Sequence, residues 1–179
     1  MRIFTIIALI SFFIAACSNK KNIPLPPAPT GVDAVVKTIK GKKYKTTELA
    51  LISTLAADKN SPYEWIDDLG DTTAYFRNYE KQKKKLEINF INDTSAEVTD
   101  EAGTNKATWK IDDQPKSDEK AGQFLRLTME KDEELIPGQV GKSTITFSYK
   151  VLGIDDKQLF LETPNMFNMR KVAALMRTE

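Results

Sequence analysis

The sequence of 179 residues contains no histidine and only one cysteine. The missing histidine excludes Ser-His and Cys-His catalysis and every metal site with a histidine ligand. The lone cysteine excludes an internal disulfide and a zinc site built on paired cysteines. Acid–base chemistry would rest on carboxylates, lysine or tyrosine alone, so we expect a protein that is not an enzyme and has no cofactor.

An excess of charge of one sign is also missing, since 26 Lys and Arg stand against 25 Asp and Glu. This balance provides no overall attraction to nucleic acid, and we expect no nucleic-acid partner. The content of 41% hydrophobic and 28% charged residues is ordinary for a globular protein. The length favours one domain with an appendage.

Two patterns that imitate ligand sites are interpreted as turns. Residues 137–144 read PGQVGKST, which is similar to the end of a phosphate-binding loop, but Ile136 stands where that motif needs glycine. A strand pattern follows instead of the helix that such a loop must open, so we expect no nucleotide partner. The acidic pairs, such as Asp112–Asp113 and Asp155–Asp156, lack the spacing of a calcium loop, and we expect no metal site.

The N-terminus carries a targeting signal, MRIFTIIALISFFIAAC. Arg2 precedes an apolar stretch of signal-peptide length, which is shorter than a transmembrane helix requires. Ala15 and Ala16 immediately before Cys17 resemble the lipobox of bacterial lipoproteins, in which the cysteine receives acyl chains such as palmitate and the preceding peptide is removed. The alternative is an ordinary signal peptide, or a short anchor helix, with an incidental cysteine.

The lipobox resemblance implies a signal peptide at residues 1–16 and a lipid on Cys17 that anchors the chain to a membrane of the cell envelope. Ser18, where some lipoproteins have Asp, implies the outer membrane, and either face of that membrane stays possible. Residues 17–37 follow with four prolines within six positions and are predicted to form an extended tether. A ligand for a proline-binding module is the alternative.

Short stretches of alternating apolar and polar residues dominate the rest of the chain. Leu86, Ile88 and Phe90 share one face of a strand, for example, with Glu87 and Asn89 on the other. Further candidate strands occupy residues 44–53, 96–98, 107–111, 125–129, 144–152, 157–162 and 170–177. Such spacing indicates an all-β fold, an antiparallel up-and-down β-barrel of about eight to ten strands over residues 38–179.

One short helix is expected near the N-terminal part of the barrel. Ser61 and Glu64 form a capping box around Pro62, and Gly70 lies at a C-cap position, which predicts a helix over 62–69. Trp65 would then cover one barrel end. Residues 72–79 fit either a strand or a helix, and a hairpin is preferred there, with the lysine-rich run 81–85 as its solvated tip or as a contact to anionic headgroups.

Several segments together resemble the lipocalin-like lipoproteins of Bacteroidota. These segments are KKYKT at 42–46, LEINF at 86–90 with the following NDT turn, ATWKI at 107–111 and the hairpin over 149–162. The resemblance spans residues 41–177 and implies a calycin-type β-barrel placed behind the lipobox.

Two groups of residues are candidate sites. The inward-facing aromatic residues line an apolar ligand cavity or simply fill the core: Phe90, Trp109, Phe147 and Tyr149. Three stretches, 112–122, 130–143 and 163–169, are predicted to be loops, and the most apolar of them carries Met166, Phe167 and Met169. These three side chains form a partner surface or, through Phe167, a plug of the barrel end.

The function expected from these features is that of a membrane-anchored, non-enzymatic binding module. Its ligand would be a small apolar molecule or another envelope protein. The alternative is a structural accessory lipoprotein of an envelope secretion, transport or assembly machine, with a filled barrel and no ligand.

Overall fold

The strands of the protein form one antiparallel sheet that closes on itself. The computed structural model describes residues 23–52, 62–66, 78, 81, 84–113, 121–136, 139–167 and 170–179. The strands are β1 (Lys43–Ile52), β2 (Tyr63–Trp65), β3 (Glu87–Phe90), β4 (Ser95–Asp100), β5 (Gly103–Asp112), β6 (Phe124–Ile136), β7 (Gln139–Ile154), β8 (Gln158–Phe167) and β9 (Arg170–Thr178).

Closure depends on β1, which pairs with the last strand as well as with the early ones. From β3 to β9 each strand pairs antiparallel with the next one in the chain, and β9 pairs with β1 from Tyr44↔Thr178 to Leu51↔Val172. On its other edge β1 pairs with β3 near its start and with β2 near its end. Strands β2 and β3 therefore share one position, and the barrel has eight positions, which confirms the predicted fold.

The period-two pattern places one face of each strand inside the barrel. Ile88 and Phe90 of β3 are fully buried among the apolar side chains that fill the barrel, which we call the interior cluster, while Glu87 and Asn89 lie outside. The β3–β4 turn is stabilised by Asn92, whose Oδ1 accepts hydrogen bonds from the backbone N–H groups of Thr94 at 3.0 Å and of Ser95 at 2.8 Å. This is the local bonding for which Asn is favoured in turns.

A short helix, α1 (Val32–Ile39), precedes β1 and closes one end of the barrel. Val35 and Ile39 are fully buried in the interior cluster. Before the helix, the carbonyl of Pro27 accepts a hydrogen bond from Ile154 at the end of β7, and after it Gly41 donates to the carbonyl of Phe90 at the end of β3. Since β7 and β3 lie on opposite sides of the barrel, α1 crosses this opening, which we call the helix end.

The helix predicted over 62–69 is wrong in its position. Tyr63–Trp65 is strand β2, which pairs with Ala50–Ile52 of β1, while residues 67–70 lie outside the described residues. The capping box is a local preference, and pairing with the edge of β1 overrides it. Trp65 consequently packs against Phe160 on the outside of the barrel, with ring centroids 6.2 Å apart, and does not cover the end.

Other local expectations also differ from the structure. Residues 130–136 and 139–143 are not a loop, because β6 and β7 continue as a paired hairpin up to Ile136↔Gln139. The loop expected at 163–169 is strand as far as Phe167, and Phe167 pairs with Arg170. Asn78 and Lys81 have helical backbone, so the strand preferred at residue 78 is wrong, and most of 72–83 lies outside the described residues. Most of the loop predicted at 112–122 also lies outside them.

Ion pairs flank β1 on both edges near the helix end. Lys43 lies 2.9 Å from Glu87 of β3 and 2.7 Å from Glu179, which follows β9, and Lys45 lies 3.0 Å from Glu87. The hydrogen bonds from the two lysines hold the pKa of Glu87 below its usual value. Exposed pairs of this kind contribute little individually. Here they connect the three strands that meet at the closure.

Candidate functional site

The four aromatic candidates come together inside the barrel. Phe90 is 0% exposed, Trp109 4% and Tyr149 7%, and the half-buried Phe147 packs against the same cluster. Phe90 and Trp109 meet edge to face, with ring centroids 5.1 Å apart and planes at 74°. Tyr44 approaches Phe90 in the same manner at 6.1 Å. This geometry is the one that aromatic side chains prefer in packed cores.

Trp109 is fixed by its hydrogen bonds as well as by packing. Its indole Nε1 donates to the carbonyl of Asn92 at 2.8 Å, and its backbone N–H donates to the carbonyl of Thr94 at 2.8 Å. The ring therefore connects β5 to the β3–β4 turn at the helix end. A buried indole with its donor satisfied inside the protein is a structural element of the barrel end.

Tyr44 is a buried residue that the sequence analysis did not single out as a site. Its side chain is fully buried, and its hydroxyl has no hydrogen-bond partner among the described residues. Burial, with the negative charges of Asp155 and Asp156 at the β7–β8 turn, raises the pKa of Tyr44 well above its usual value. Burial likewise raises the pKa of Tyr149 to about 12, so both phenols are neutral at physiological pH.

A groove of about 680 Å³ lies on the outside of the barrel, across β4 to β7. It lies where the β5–β6 ladder ends at Ala107↔Met129, and the two flanking hairpins continue separately. Its lining includes Thr108 and Thr128 and the charged residues Glu97, Lys106 and Glu130. None of the four aromatic candidates lines it, but Ala96, Ala107 and Met129 of the interior cluster do, so the groove borders the barrel interior.

A second apolar cluster, whose members are all buried, lies on the opposite outer side of the barrel. We call it the outer wall, and it consists of Ala50, Trp65, Phe160, Ala173 and Leu175. These residues alternate with inward-facing ones, such as Leu159 and Leu161 on β8, which belong to the interior cluster. Ile23 packs against the outer wall. The N-terminal segment therefore lies on the barrel surface at this point.

Arg126 is buried on the outer face of β6, another feature that the alternation alone does not indicate. Its guanidinium lies 3.4 Å from Asp112, stacks over the ring of Phe124 at 4.7 Å and donates a hydrogen bond to Ser148. These contacts hold three neighbouring strands together. A buried guanidinium that is paired and stacked in this way has a structural role.

The remaining candidates are only partly covered by the described residues. Met166 and Phe167 belong to the backbone of β8 next to its hairpin with β9, and Met169 lies outside the described residues. Cys17 also lies outside them. Gly141–Thr144 of the imitated phosphate loop lie within β7, so a strand, not a helix, follows that turn. Within the described ranges, no group of three or more Asp, Glu, Cys or His side chains could hold a metal ion.

Comparisons with known proteins found no relative of this chain. No protein-family model, curated protein or solved structure matches it. In the described part of the chain, no helix has the length and apolar character needed to span a membrane.

Proposed function

We propose that the protein is a non-enzymatic lipoprotein of the bacterial cell envelope, anchored through lipid on Cys17 and carrying its barrel as a binding module. The observation that carries this proposal is the N-terminal sequence, in which an apolar stretch ends in Ile14-Ala15-Ala16-Cys17. The only cysteine of the chain stands where a lipobox requires it. Several acyl chains on one residue would provide a stable anchor, whereas a single chain binds membranes only marginally.

The lipid anchor is tested by Cys17→Ser in the full-length protein. We expect the wild-type protein to partition with the outer-membrane fraction and its N-terminal peptide to carry the mass of acyl chains. The variant should appear in the soluble fraction or as an uncleaved precursor, because no thiol is present to accept lipid. Ser18→Ala is the matched control and should be processed normally. Normal processing and membrane retention of Cys17→Ser would contradict the proposal.

The partner of the module is a small apolar molecule or another envelope protein. The alternative, an accessory lipoprotein with a filled barrel, is favoured by one observation, the packing of Phe90, Trp109 and Tyr149 in the interior cluster. The hydroxyl of Tyr44 favours a ligand, since it is a buried polar atom without a partner among the described residues. Most buried polar atoms in proteins are hydrogen-bonded.

Tyr44→Phe distinguishes these two functions. In a filled barrel the variant should be as stable as the wild type or more stable, by about 1 kcal/mol, because it removes a buried hydroxyl whose desolvation is not compensated. Urea unfolding of the protein purified from its native membrane provides the measurement. A loss of about 1 kcal/mol or more would mean that the hydroxyl has a partner, and it would support a ligand inside the barrel.

A further inference from the structure

The segment that leads from the N-terminus into the barrel is bound to the outside of the barrel. Pro26 is buried, and the backbone N–H of Ile154 donates to the carbonyl of Pro27 at 2.8 Å. Three residues before Pro26, Ile23 packs against the outer wall. These contacts lie within the stretch that the proline content assigns to a tether. The described part of that stretch is thus attached to the barrel.

Pro26 packs directly against the backbone of Gly153 in β7. A Cβ atom at Gly153 would lie 2.4 Å from the carbonyl oxygen of Pro26 and 3.1 Å from its Cγ. The first distance is far below van der Waals contact, so only glycine permits this approach. Gly153 also lies at the irregularity of the β7–β8 ladder, where the register shifts between Val151 and Gly153. The pairing of β7 is therefore irregular at the point where the segment packs against it.

The path of the segment determines the side on which the chain leaves the barrel. Pro27 lies at Ile154, close to the helix end, whereas Ile23 lies on the outer wall, whose residues belong to β8, β9, β1 and β2. The first described residues therefore lie along this flank and not below the helix end. We call it the β8–β9–β1 flank.

The reach from Cys17 to the bound segment is short. Ile23 is six residues after Cys17, and six residues span at most about 20 Å when fully extended. A free proline-rich spacer over all of 17–37 would reach about 60 Å at the rise of a polyproline helix. Binding of residues 23–27 to the barrel thus removes most of the distance by which a lipid anchor could hold the domain away.

We propose that the anchored barrel lies with its β8–β9–β1 flank towards the lipid surface, within about 20 Å of it. The inference rests on the proposed function, because it takes the lipid on Cys17 as the fixed point. The opposite flank, which carries the groove across β4 to β7, then faces away from the membrane. A partner that approaches from the surrounding space meets that flank first.

Two exposed lysines provide matched reporter positions. Lys171 lies on the outer face of β9, and Lys106 lies on the outer face of β5, four positions away around the barrel. Lys171 is near the start of β9, and Lys106 is near the middle of β5. Each is changed to cysteine and labelled with a fluorophore in the lipidated protein, whose only native cysteine is Cys17. The protein is reconstituted into phosphatidylethanolamine–phosphatidylglycerol vesicles that carry a quencher on the headgroups.

We expect quenching at position 171 to exceed quenching at position 106 by about twofold or more, since an eight-stranded barrel separates them by about 16 Å. Gly153→Val, placed in both labelled proteins, should displace Pro26 and abolish this difference while the lipid stays attached. If the Gly153→Val protein does not fold, the Pro26→Gly variant is used in its place. Equal quenching in the otherwise unaltered protein would overturn the inference. Absence of acyl mass on Cys17 would overturn the proposed function, and this orientation with it.

Discussion

Replacing Trp109 with alanine is expected to lower the free energy of unfolding by about 3 to 5 kcal/mol, the usual cost of deleting a large buried ring. The ring packs edge to face on Phe90, and the cavity would lie between β5 and the β3–β4 turn. Urea unfolding of the purified protein, followed by far-ultraviolet circular dichroism, measures the change. The result shows how strongly the aromatic cluster stabilises the barrel.

Two further variants separate packing from hydrogen bonding and from local strand effects. Trp109→Phe keeps a ring but removes the Nε1 donor to the carbonyl of Asn92, so we expect a smaller loss of about 1 to 3 kcal/mol. Lys110→Ala changes the neighbouring exposed side chain and should cost about 0.5 kcal/mol or less. A loss below about 1 kcal/mol for Trp109→Ala would contradict the core role of the ring.

Ile39→Ala is expected to cost about 2 to 5 kcal/mol, because this side chain closes the helix end of the barrel. Ile39 is fully buried in the interior cluster, although it lies next to the stretch that the proline content assigns to a tether. The measurement is again urea unfolding, with Lys37→Ala on the exposed side of α1 as the control. Equal stability of the two variants would mean that α1 is not part of the barrel core.

The strands could be predicted because each one carries a local signal. The alternation of Ile88 and Phe90 with Glu87 and Asn89 depends only on the period of two, and so do the similar runs in β5 and β7. Closure followed from the same pattern, since many short antiparallel strands with one apolar face favour a barrel. The predicted range of strand numbers includes the eight positions of the structure.

The helix was predicted in the wrong place for a physical reason. The pattern of α1 is present in the sequence, because Val32, Val35, Val36 and Ile39 are spaced for one face of a helix. The prolines just before it favour an extended spacer, and residues 17–37 are therefore predicted to be a tether. At residues 62–69 the reverse occurred, since a strong local capping signal yields to strand pairing with β1.

For the candidate site, the sequence could predict only which face of its strand each residue occupies. The alternation places Phe90, Trp109, Phe147 and Tyr149 inside, and the structure gathers them there. Whether such rings fill the interior or surround a cavity depends on distances between strands that are far apart in sequence. The contact of Pro26 with Gly153 is equally non-local, and a glycine within a strand, which often marks a close backbone approach, was its one sequence signal.

The pairing of β1 with β9 has a consequence for the order of folding. Tyr44 pairs with Thr178, so β1 cannot complete its pairing until a strand more than a hundred residues later in the chain has been synthesised. Contacts of such long range slow folding, because the entropy of closing the loop is lost before they form. A chain that is synthesised from its N-terminus exposes one edge of β1 until β9 is available. During that interval the edge is open to pairing with another chain, so binding by a chaperone would be most useful there.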